Sequence, residues 1–95
     1  MSSERPIDSL DSLFENAATL ELDEGIRTYA GVDGKTCVLF IARPSHRYVV
    51  AAYERGSKGD LPGERQIFFK EFDNLSSLKP FLKKIVLHPV KAYRY

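Results

Sequence analysis

Few side chains in this 95-residue chain are of the kinds that catalyse, and their spacing argues against catalysis. Cys37 stands among Thr36, Val38 and Leu39. A thiol attacks only as thiolate, and apolar neighbours on a strand hold it protonated, so Cys37 reads as a small buried apolar group. His46 and His88 lie far apart, and neither has a second His, Cys or carboxylate at metal-ligand spacing. His46 reads as a turn residue and His88 as a helix C-terminal one. The run Gly-Ser-Lys-Gly at 56–59 lacks the GxxxxGK[ST] spacing of a phosphate-cradling loop and does not lead from a strand into a helix. Asp60 and Glu64 have the chemistry of an acid and base pair, but they lie in or beside a Gly-rich loop that preorganises nothing. The expectation is a protein that is not an enzyme and has no metal or cofactor.

Binding chemistry is better represented. Arg43, His46, Arg47, Tyr48, Tyr53, Arg55, Lys58, Arg65 and Lys70 fall on or beside three consecutive predicted strands. Cations pair with phosphates, and aromatic rings stack on unpaired bases. The plain alternative is the exposed face of an ordinary soluble sheet, which also carries Arg, Lys and Tyr. Charge is segregated along the chain. Residues 1–24 hold seven acids and one base, a net −6, whereas the remaining 71 hold thirteen bases and six acids, a net +7. Such asymmetry hints at an interaction surface. Asp8, Asp11 and Glu15 are the candidate partner-binding acids. They either compete with a polyanion for the basic body or present carboxylates to a basic protein.

These groups need a scaffold. Leu10, Leu13, Phe14, Ala17 and Ala18 recur at helical spacing, which predicts a helix over 9–20 capped by Asp8. Asp33-Gly34 between apolar runs predicts a tight β-hairpin of strands 26–32 and 35–43. The second of these strands is apolar on both faces, the pattern of a central strand covered on both sides. Strands over 47–55 and 65–72 flank the loop 56–63. Pro80 places the final helix at 78–87 with Ser77 as cap, because a cap at Asn74 would put the proline inside. The segment 89–95 reads as a short tail. The result is one α+β domain over 9–95: a helix, a four-stranded antiparallel meander and a helix in two layers, after a flexible 1–8.

The run HRYVVAAYERGSKGDLPGERQIFFKEFDNLSSLKPFLKKI, residues 46–85, resembles the strand, loop, strand and helix of the single-stranded-DNA-binding transcriptional coactivator family. The chain adds a hairpin strand and an N-terminal helix and lacks that family's long C-terminal helix, so no site residue is carried over. Bulk properties agree with a small folded domain: 43% hydrophobic, 12% aromatic and one cysteine, which excludes an intrachain disulfide. The longest apolar run, 38–42, is too short to cross a bilayer, and the acidic N-terminus is unlike a secretion signal. The expected compartment is cytoplasmic or nuclear. The expected function is a binding module whose basic sheet face takes single-stranded nucleic acid or a nucleoprotein, with the acidic helix as modulator. The alternative is a protein-interaction module (inhibitor, adaptor or regulatory subunit) docking through that helix or the 56–63 loop. A homodimer through an edge strand is open in either case.

Overall fold

A computed structural model of the chain describes residues 5–55 and 62–95. Its elements are β1 (Arg5–Ile7), α1 (Leu10–Ala18), β2 (Gly25–Val32), β3 (Lys35–Ala42), β4 (Tyr48–Arg55), β5 (Pro62–Phe72), α2 (Leu75–Ile85) and β6 (Ala92–Arg94). All strands pair antiparallel in the order β1-β6-β2-β3-β4-β5. Leu13 and Ala17 of α1 and Leu78 and Leu82 of α2 share one core with Ile26, Leu39, Ile41, Val50 and Ala52. Those sheet residues occupy one side of the pleat, so both helices cover the same face.

The expected α+β class holds, and the expected meander is β2 to β5. The sheet is larger than expected by two strands. Arg5–Ile7, expected to be flexible, and Ala92–Arg94, expected to be tail, pair with each other, and β6 also pairs with β2 at Ile26 and Arg27. Reciprocal backbone bonds between Gly25 and Tyr95, both 2.9 Å, extend that pairing. A Cβ at Gly25 would lie 2.8 Å from the Tyr95 ring, so a larger residue there would displace that ring. Arg94 locks β6 to α1. Its buried guanidinium donates to the Asn16 and Thr19 carbonyls at the helix C-terminus, to the Thr19 hydroxyl and to the Glu24 carboxylate. A cation facing the last carbonyls of a helix also offsets its dipole.

The hairpin forms as the turn chemistry dictates. Asp33 and Gly34 have φ of 52° and 78°, the left-handed pair that a two-residue connection needs, and Val32 faces Lys35. α1 is capped by Ser9, whose hydroxyl accepts from the Ser12 N–H at 3.1 Å, one residue beyond the expected Asp8. α2 differs more. It starts at Leu75 with Asn74 as cap, its Oδ1 accepting from the Ser77 N–H at 2.9 Å, and Pro80 lies inside. In the second turn a proline forfeits one internal hydrogen bond, to the Ser76 carbonyl. The earlier start gains the Asn74 cap and packs Leu75 against the core. The cap and the burial outweigh the lost bond.

Candidate nucleic-acid interface

Among the described residues, no helix covers the second face of the sheet. Strand register aligns its side chains into lateral rows. One row crosses five strands: Tyr93 of β6, Arg27 of β2, Phe40 of β3, Ala51 of β4 and Phe69 of β5. At about 4.8 Å per strand this row spans roughly 19 Å. The next row is Tyr29, Val38, Tyr53 and Gln66. Small residues, Val38 and Ala51, make a buried floor, and rings stand around it. Phe40 and Tyr53 meet edge to face at 5.8 Å. Phe69 is 55% exposed.

Two arginines stand among these rings. The Arg27 guanidinium carbon lies 5.9 Å from the Tyr93 ring centroid and that of Arg55 lies 5.8 Å from the Tyr29 centroid. Tyr95, over Gly25 at the same margin, has its hydroxyl pKa pushed up by burial, against the opposing pull of the Arg27 charge. Rings with open faces stack on bases, and a guanidinium beside them offers a fork to a phosphate.

The fold separates the sequence-predicted site residues. Tyr53 and Arg55 are on this open face. Arg47 is held by Glu71 at 3.2 Å and Asp73 at 3.1 Å. Arg65 lies 3.7 Å from Glu54. Arg43 stacks on the Tyr48 ring at 5.0 Å and lines a hollow beside Leu20 and Leu22. Tyr48 is buried on the helix side, its hydroxyl donating to the Ala17 carbonyl at 2.9 Å. Lys70 is on the helix side as well, 4.9 Å from the Phe81 ring centroid. His46 is exposed in the β3–β4 turn. Lys58, most of the 56–63 loop and the Asp60 and Glu64 side chains lie outside the described residues. Asp8, Asp11 and Glu15 are exposed on or beside α1, in the helix layer.

The open face instead brings together Arg27, Tyr29, Phe40, Phe69 and Tyr93, which the sequence reading passed over. Part of this was accessible: the Asp33-Gly34 turn fixes the β2–β3 register, and Arg27 opposite Phe40 and Tyr29 opposite Val38 follow from counting outward. Tyr93 is out of reach of the sequence, because the three residues of β6 show no alternation that marks a strand.

Cys37 is fully buried on the helix side, and burial pushes its thiol pKa up, partly offset by a hydrogen bond with the Ala30 backbone. It offers no nucleophile. No group of three or more His, Cys, Asp or Glu among the described residues is placed to hold a metal ion. No helix among them is long and apolar enough to cross a membrane. Compared with protein-family models, curated proteins and solved structures, the chain matches none, so the interface rests on its own geometry.

Proposed function

We propose that this protein is a binding module that takes single-stranded nucleic acid on the open face of its sheet. One observation carries the reading: two guanidinium groups, Arg27 and Arg55, set among rings on a face that no other layer covers among the described residues. Tyr53, Phe69 and Tyr93 supply stacking surfaces, and the two arginines supply phosphate contacts. Sequence discrimination would be slight, since every base has a π-face and no amide side chain but Gln66 stands in the two rows. The acidic helix does not act as competitor in this arrangement. Asp11 and Glu15 project from the opposite layer, and screening reduces their field at the open face.

The test is an NMR titration of the full chain with an unlabelled single-stranded oligonucleotide at low salt. Amide shifts are expected in β2, β3, β4 and β5 and at Tyr93, with α1 and α2 unmoved. Shifts confined to the helices, or none at all, would sink the reading. A second reading, a module for a protein partner, draws support from Leu22, 72% exposed between Glu21 and Asp23 in the turn before β2. Its signature is a stable partner that survives nuclease and is lost on Leu22→Ser.

A further inference from the structure

The open face is not uniform. Where β2 leaves β6, the segment from Leu87 to Lys91 bulges out and walls a depression of about 580 Å³. The wall is pinned: the Leu87 N–H donates to the Tyr29 carbonyl at 3.0 Å, Val86 bridges to Ala30, and the Thr28 hydroxyl donates to the Lys91 carbonyl at 3.1 Å. The depression is lined by Arg27, Arg55, His88 and Lys91, with the hydroxyl-bearing Tyr29 and Thr36 between them, and no carboxylate is among its described lining residues. Arg27, His88 and Lys91 have no carboxylate partner among the described residues. With no such partner, Arg27 and Lys91 repel one another, and a bound anion relieves that repulsion.

We propose that this depression is a site for a phosphomonoester group, the terminal phosphate of a nucleic-acid strand or that of a free nucleoside monophosphate. Three features select that group. A phosphomonoester carries between −1.5 and −2 charges near neutrality, against −1 for an internal diester, and so suits three permanent cations better. Arg27 and Arg55 offer forked donors, Lys91 a point charge, and Tyr29 and Thr36 neutral hydroxyl donors. The 87–91 segment, pinned to Tyr29 and Ala30, walls the depression along the edge of β2, which favours the end of a strand over its middle. The volume is in the range of small-ligand sites. The inference shares its face with the nucleic-acid reading but needs only the phosphate, which lets the two fail separately.

The experiment compares matched probes on the full chain by fluorescence anisotropy and amide shifts: one oligonucleotide with free hydroxyl ends, with a 5′-phosphate or with a 3′-phosphate, and adenosine against adenosine 5′-monophosphate. One terminal phosphate adds between −1.5 and −2 charges to a hydroxyl end and is expected to tighten strand binding about 15- to 30-fold, each such charge 4 Å from a cation in water being worth about sixfold. That preference is expected to shrink severalfold in Lys91→Ala, which removes one of the three cations and whose folding is verified by circular dichroism. Adenosine 5′-monophosphate, but not adenosine, is expected to shift the amides of Tyr29, Thr36 and Lys91. Strand binding with no gain from either phosphate, and no response to the monophosphate, overturns the proposal and leaves the face reading standing. A response to the monophosphate without strand binding upholds the site and removes the face reading. A phosphate preference of undiminished size in Lys91→Ala overturns the proposal, because the group then sits elsewhere.

Discussion

Removing one charge from the open face and one from the helix layer separates specific placement from general basicity. Arg27 lies in the five-strand row, whereas Lys84 lies exposed in the last turn of α2 on the opposite side. Each substitution to alanine changes net charge equally. With Arg27 and Arg55 each neutralising one phosphate, the log–log salt slope for a single strand is about −1.4, which is about a sevenfold loss of affinity between 50 and 200 mM salt. Arg27→Ala leaves one contact, a slope near −0.7 and a two- to threefold loss over about the same salt range. Lys84→Ala is expected to keep the parent slope. Phe69→Ala should act differently, lowering affinity by about 1 to 3 kcal/mol at every salt concentration with the slope unchanged, because stacking releases no counterions. Anisotropy titrations at four salt concentrations measure all of this. An Arg27→Ala slope equal to the parent's, or an equal fall for Lys84→Ala, would refute the assignment of phosphate contacts to the open face.

Three further expectations concern the scaffold. Cys37 should resist alkylation in the native protein and react once the chain is unfolded. Its folded pKa is raised, so the unfolded thiol ionises first, and stability, unaffected below the ordinary thiol range, should fall as pH climbs through it and up to the folded value. Urea melts at two alkaline pH values, compared with Cys37→Ala, isolate that contribution; a parent protein that gains stability there would contradict it. Arg94→Ala should cost about 2 to 3 kcal/mol, somewhat below a fully buried pair because Glu24 is partly solvated, and should loosen α1 and β6 together in hydrogen exchange. Pro80→Ala should stabilise by about 1 kcal/mol, less than the mid-helix value because the residue lies in the second turn; a loss of stability would show that the proline assists the α2 start instead of burdening it.

Much of the scaffold was legible because local chemistry and tertiary packing agree there. Asp33-Gly34 admits few backbones other than the hairpin turn, and Leu13 and Ala17, or Leu78 and Leu82, repeat at the spacing of a single buried stripe. The two short strands were not legible, since three residues show no alternation and β1 and β6 exist through each other and β2. Pro80 is a poor guide to the α2 start because the one hydrogen bond it forfeits is offset by the Asn74 cap and the packing of Leu75. The candidate site was half legible for a different reason. In β5 the run Ile67, Phe68, Phe69, Lys70, Glu71, Phe72 is apolar on both phases, so the sequence does not tell which of Phe69 and Lys70 faces outward. Register supplies the answer: Phe69 pairs with Ala51 on the open face, and Lys70 with Val50 over the helices.

The same ambiguity in β3 explains how the open face is built. Its two-sided apolar pattern predicts cover on both sides, yet the helices cover only Cys37, Leu39 and Ile41. On the other side Val38 is fully buried without a second layer, because its cross-strand partners are Tyr29 and Tyr53, and Phe40 packs on the Tyr53 ring. The rings therefore seal the sheet from above while leaving their outer faces to solvent. On the proposed reading, binding and stability are coupled at the centre of the face and separable at its margins. Tyr53→Ala should lower both the melting temperature and affinity, whereas Phe69→Ala, at a 55% exposed position, should lower affinity with little change in melting. If the two variants lost stability equally, the rings would serve only as a seal, and the stacking role assigned to them would fall.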